Sequence, residues 1–185
     1  MSSSFVHLHV HSQYSLLEAT IRGKSLAARA AQYEMPAVAV TDYGNMFGAV
    51  EFYLAAKSAG INPIIGAEFY IAPKGRFEKG GKDELRKNPN TRIVLLAKNL
   101  NGYRNLCRLS SIGYKEGFYY KPRIDYEVLK EYSTDVVALS GGLTGDVPWA
   151  FLNRGPDEAI ERVQKLNSIF QDNFYLELNL SLIHI

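Results

Sequence analysis

The feature that most constrains this chain is a repeated exchange of short apolar runs with amphipathic stretches. Ala37-Val38-Ala39-Val40-Thr41, Pro63 to Ile71, Ile93 to Ala97 and Val136 to Ser140 are too short for buried helices. They read as strands covered on both faces. Between them lie helical patterns. Ser25 to Tyr33 is rich in alanine and other good helix formers and is stopped by Met35-Pro36. Met46 to Ala59 puts Phe47, Val50 and Leu54 on one stripe and ends at Gly60, where a left-handed residue commonly closes a helix. After Asn101, the residues Tyr103, Leu106, Cys107 and Ser110 share a helical face, which makes Cys107 a small core residue rather than a nucleophile. Pro156 opens a further helix, with Asp157 and Glu158 in its first turn and Ile160, Val163 and Phe170 inside; Phe174 to Leu178 is the last strand. This order predicts a parallel sheet with right-handed crossovers.

Three of the four histidines stand at every second position of Phe5-Val6-His7-Leu8-His9-Val10-His11-Ser12. In a strand, His7, His9 and His11 would share one face while Val6, Leu8 and Val10 pack on the other. Imidazole suits zinc, iron, copper or nickel, and carboxylates from other strand ends would add manganese or magnesium. An edge strand with a wet polar face is the plainer alternative. His9 and His11 together, Asp42, Glu68 and Ser140 lie at or just past the ends of four different strands, which is where a β/α barrel gathers its active site. An open doubly wound sheet would spread them along a line, and no glycine-rich phosphate loop follows the first strand. The residues therefore favour the barrel.

At 185 residues, with 46% hydrophobic and 22% charged, the chain is sized for one ordinary domain, and its net charge of +2 implies no general affinity for polyanions. Charge is nevertheless uneven. Lys74 to Arg92 holds seven basic and three acidic residues. A phosphate-contacting arm and a solvated insertion loop both explain it; only Phe77 accompanies the charges as a stacking platform, which favours the loop. Gly113 to Arg123 mixes aromatic with basic residues and fits a base-stacking surface or a packed hairpin equally well. One cysteine, no secretory leader and no apolar run of spanning length together read as cytoplasmic.

His-Leu-His-Val-His-Ser-Gln-Tyr-Ser-Leu-Leu-Glu at 7–18, Ala-Val-Thr-Asp-Tyr-Gly-Asn-Met-Phe-Gly at 39–48 and Ile-Ile-Gly-Ala-Glu-Phe-Tyr at 64–70 resemble the first motifs of the polymerase and histidinol phosphatase (PHP) domain. Val94 to Asn99, Gly102 to Leu106 and Ala138 to Gly142 are similar to the version that opens the alpha subunit of bacterial DNA polymerase III. The resemblance implies a distorted seven-stranded β/α barrel over residues 1–179, truncated before closure, with a multinuclear metal site at its mouth. Intact members cleave phosphoesters there, and paired cations suit that task by generating hydroxide and clamping the attacked and leaving oxygens. Carried over, His9 and His11 match the first ligand pair, Glu18 an acidic ligand and Glu68 the ligand of the third strand. Asp42 and His7 take supporting roles behind them.

Three ligand positions depart from the pattern. Tyr43 stands in place of a histidine, Arg92 in place of another, and Gly142 where a cysteine often follows Ser-Gly. Tyrosine is a poor substitute for imidazole, glycine offers no ligand, and arginine adds a permanent cation. The implied site is degenerate, with no catalytic residue of its own. At most it binds one zinc, manganese or iron ion weakly through His9, His11 and Glu68. The implied role is a scaffold and partner dock in a DNA-directed DNA polymerase, whose own chemistry uses magnesium. Its implied partners are the remainder of the alpha chain, a proofreading exonuclease subunit, a sliding clamp and primer-template DNA. A free-standing metal-dependent phosphoesterase is the alternative. Residues 180–185 read as sequencing-adapter translation, so His184 carries no functional weight.

Overall fold

The computed structural model describes residues 5–178, so the expectation for residues 180–185 lies outside the described residues. Six strands form one mixed sheet: β1 (Ala37–Tyr43), β2 (Asn62–Ile71), β3 (Thr91–Ala97), β4 (Arg123–Ile124), β5 (Val136–Leu139) and β6 (Phe174–Tyr175). Their order is β1-β2-β3-β5-β6, with β4 continuing the β1 edge of β2 beyond Glu68. Among the described residues the sheet does not close, and the seven-strand count is not reached.

The all-parallel expectation is corrected at β3, which runs antiparallel to both β2 and β5. The cause lies in residues 72–90. A parallel return needs a crossover helix that packs on the sheet. The helix there, α3 (Lys82–Lys87), has six residues and buries none of them. The chain therefore re-enters the sheet at the end where it left. Arg92, at the start of β3, consequently lies at the same mouth as the end of β2.

Period-two alternation sorts the side chains. One face of the sheet carries Ala39, Val94, Leu96 and Leu139 as a small cluster. Tyr43, Glu68, Tyr70 and Arg92 stand on that face by parity, and the register sets Tyr43 beside Glu68 and Tyr70 beside Arg92. Helices cover the other face. Helices α1 (Gly23–Gln32) and α2 (Ala49–Ser58) enclose Leu26, Ala27, Ala30, Val38, Val40, Phe52 and Ala56. Helices α4 (Leu100–Lys115), α5 (Tyr126–Glu131), α6 (Asp146–Arg154) and α7 (Pro156–Phe170) pack on Phe69, Ile71, Ile93, Leu95 and Ile124. No described helix is long and apolar enough to cross a membrane.

Several facing assignments change. Phe47, Val50 and Leu54 are 67%, 63% and 63% exposed, whereas Phe52 is 1% exposed. Helix α1 is alanine-rich on its inner side, and the Gly23 backbone approaches so closely that a Cβ there would meet the Phe52 Cα at 3.4 Å. That close approach turns the Phe52 face of α2 inward. On α7, Ile160 is exposed, while Ala159, Leu166 and Phe170 are buried. Cys107 is only half-buried, on the flank of the buried stripe. Gly60 has φ of 74° just past α2, as the closing position requires.

Candidate metal centre

The histidine segment is not a regular strand. Ala39 N–H donates to the His7 carbonyl at 2.8 Å and Thr41 N–H to the Val10 carbonyl at 2.7 Å. The two donors are two residues apart, but their acceptors are three apart. One extra residue therefore breaks the ladder, as a bulge does, and reverses the facing on either side of it. His7 is left exposed, edge-on to Phe5, and Leu8 is exposed too, contrary to the single-face expectation. His9 and His11 reach the centre together.

Both converge on one oxygen. His9 Nε2 and His11 Nε2 donate to Glu68 Oε2 at 2.7 and 2.6 Å, and Glu68 is 1% exposed. His9 Nδ1 bonds Glu177 Oε1 at 2.8 Å. With a carboxylate at each nitrogen, His9 is held as the imidazolium. Burial alone would lower its pKa, but the bonds to Glu177 and Glu68 outweigh it and raise the group to about 9. Burial likewise works to raise Glu68, and the bonds from His11 and His9 instead bring it down to about 2.

Glu177 was not foreseen. Its only signal was an acidic residue near the end of an apolar strand, between Leu176 and Leu178. Ser140 positions it: the Ser140 N–H donates to the Tyr175 carbonyl at 3.0 Å, and its Oγ accepts from Glu177 N–H at 2.9 Å.

Tyr43 and Arg92 fill the adjoining space. Arg92 Nη1 donates to the Tyr43 hydroxyl at 2.8 Å and lies 3.6 Å from Glu68 Oε1. Its guanidinium carbon is 4.5 Å from the Tyr43 ring centroid and 5.4 Å from that of Tyr70. Tyr43 in turn stacks on His11 at 4.0 Å. Burial and the nearby Glu68 charge push the Tyr43 hydroxyl up to about 12, so it stays neutral.

The remaining expected residues stand apart. Asp42 is buried and accepts from Ser12 N–H, Ser12 Oγ and Ser15 Oγ at 2.6, 2.7 and 2.7 Å. It ties down the turn after His11 and touches neither imidazole. Glu18 is exposed and 4.0 Å from Lys121. Gly142 has φ of 60° in a 3-10 turn after Gly141, also left-handed. A ligand side chain there would meet backbone strain as well as a changed residue type.

His9, His11 and Glu68 form a group able to hold a metal ion, with ligand atoms within 4.8 Å of one another. Glu177 Oε2, buried and without a hydrogen-bond partner among the described residues, is a further donor beside His9. The set fits one ion, and binding would have to displace the proton that His9 carries. It does not fit a cluster, because Arg92 brings a fixed positive charge to the second side of Glu68.

The family profile described as the PHP domain matches residues 7–181. The chain belongs to the PHP domain family. Relatives of this PHP domain include proteins named DNA polymerase III subunit alpha. That of Chlamydia muridarum is 46% identical over 178 residues, 96% of this chain and 14% of the relative. That of Aquifex aeolicus is 45% identical over 183 residues, 96% of this chain and 16% of the relative. The PHP domain thus spans about one seventh of these relatives and matches their N-terminal region. Among solved structures, a metal-dependent phosphoesterase from Bifidobacterium adolescentis superposes with a TM-score of 0.55 at 12% identity, covering 92% of this chain and 85% of that one. That likeness is one of fold.

Proposed function

We propose that this chain is the PHP region of a bacterial DNA polymerase III alpha chain, and that it acts as a scaffold rather than as a phosphoesterase. The relatives' names support the first part. The observation that carries the second is the Arg92 guanidinium, 3.6 Å from Glu68 and bonded to Tyr43. It supplies from within the protein a charge that a second metal ion would otherwise supply.

A single zinc, manganese or iron ion on His9, His11 and Glu68, when bound, would supply Lewis acidity to one water or phosphate oxygen. The chain's own residues do something different. Glu68 collects His9 and His11, Glu177 anchors His9 to the last strand, and Arg92 joins β3 to β1 through Tyr43. Together they staple strand ends of a sheet that does not close among the described residues. In this reading the remainder of the alpha chain is the immediate partner. The proofreading exonuclease, the sliding clamp and primer-template DNA are reached through the parent polymerase, whose magnesium chemistry lies elsewhere in that chain, in the cytoplasm.

The test is a metal count by mass spectrometry on protein purified without chelator, together with turnover of a generic phosphate monoester in added manganese or zinc. At most one ion per chain and no turnover is expected. Two or more tightly held ions with turnover would replace the scaffold by the phosphoesterase alternative.

A further inference from the structure

The basic insertion between β2 and β3 pairs two of its cations internally. Arg76 bonds Glu116 at 2.7 Å, Asp125 at 3.0 Å and Glu127 at 2.9 Å, and Lys74 bonds Glu84 at 2.9 Å. Arg123, packed beneath the insertion, is different. It is 2% exposed. Its Nε donates to the Gly117 carbonyl at 2.9 Å, and its Nη2 to the Arg76 and Glu78 carbonyls at 3.0 and 2.9 Å. The Tyr119 ring centroid is 5.3 Å from its guanidinium carbon.

Among the described residues Arg123 has no carboxylate partner, and its Nη1 has no acceptor. A buried cation is ordinarily paired with an anion, because burial without one is costly. Burial accordingly pushes this guanidinium below its ordinary pKa. Arg123 also lines a cavity of about 280 Å³ with Lys74, Lys79, Gly75, Gly80 and Asn88. Of the two carboxylates at its wall, Glu84 is neutralised by Lys74, and Glu78 has no ion pair among the described residues.

We infer that this cavity is a phosphate-binding site, with Arg123 Nη1 as the donor at its base and Lys79 at its rim. The chemistry is charge-assisted hydrogen bonding of an anion by a guanidinium and an ammonium. The phosphate belongs either to a small molecule or to a nucleic-acid backbone. The inference stands independently of the polymerase reading.

The test is a thermal-melt titration of the full chain with inorganic phosphate, with sodium chloride adjusted to constant ionic strength. A saturable rise in melting temperature is expected. Lys79→Ala should weaken the apparent affinity about tenfold, and Glu78→Gln should strengthen it by removing the unpaired carboxylate. Both substitutions lie on the exposed loop and spare Arg123, whose own replacement risks the fold. A second arm adds a short oligothymidylate: competition with phosphate assigns the site to a nucleic-acid backbone, and no competition assigns it to a small phosphate compound. Overturning results are a shift that matched chloride reproduces, or equal phosphate affinity in all three proteins.

Discussion

Arg92 and Tyr70 face each other across the antiparallel β2–β3 ladder, and that pairing sets the guanidinium over the tyrosine ring, 5.4 Å from its centroid, with Glu68 next along the same face. A residue at the start of β3 is thereby placed inside the mouth.

Replacing Arg92 by glutamine removes a cation 3.6 Å from Glu68 Oε1 without removing a metal ligand. Calorimetric zinc titration should show binding at His9, His11 and Glu68 tightening by about tenfold, the effect of relieving roughly 1.4 kcal/mol of like-charge repulsion in a half-buried site. Unchanged affinity would mean that Arg92 does not compete with the ion.

The His9–Glu68 pair gives the fold a defined pH window. His9 is raised from 6.5 to about 9, so its contribution is complete below pH 6.5 and disappears as pH rises through 9. Glu68 is lowered from 4.5 to about 2, so its contribution is complete above pH 4.5 and disappears as pH falls toward 2. Denaturant melts with chelator present should show a stability plateau between pH 4.5 and 6.5, declining on both sides, with an alkaline loss of roughly 2 kcal/mol. In Glu68→Gln the alkaline decline should shrink. An identical decline would detach it from this pair.

Glu177→Gln tests the unforeseen residue. Losing the carboxylate at Nδ1 should lower the His9 titration midpoint by about one unit, read from its imidazole nitrogen shifts by NMR. A midpoint that stays near its original value would show that Glu68 alone holds the imidazolium.

Helix α2 offers a packing test between two of its apolar residues. Phe52→Ala should cost about 3–5 kcal/mol in chemical denaturation, because the ring is enclosed by α1 and β1. Leu54→Ala, on the exposed face, should change stability by less than about 0.5 kcal/mol. Equal costs would return Leu54 to the core.

Much of this was legible in the sequence because it rests on short-range pattern. The apolar runs gave β1, β2, β3 and β5 to within a few residues, and Gly60 and Pro156 marked helix ends by backbone geometry alone. His9, His11 and Glu68 were also legible, since strand ends collect polar residues. What failed depended on tertiary choices. The reversal of β3 follows from an insertion helix that buries nothing. The outward turn of Phe47, Val50 and Leu54 follows from which face of α2 an alanine-lined neighbour can approach. Tyr126, Asp146 and Arg162, a part-buried cluster joining α5, α6 and α7, left no short-range trace. Glu177 could be assigned only once Ser140 had been seen to hold β6 against β5.

The extra residue between His7 and Val10 makes strand register a chemical variable. Were the segment to slip by one residue and pair evenly with β1, His7 would come round to the side of its two neighbours and add an imidazole to the mouth with no change in residue type. A His-X-His-X-His string in another chain therefore counts ligands only when its spacing against the adjacent strand is also known. For such chains, a one-residue slip at this edge changes the coordination number while the sequence stays the same.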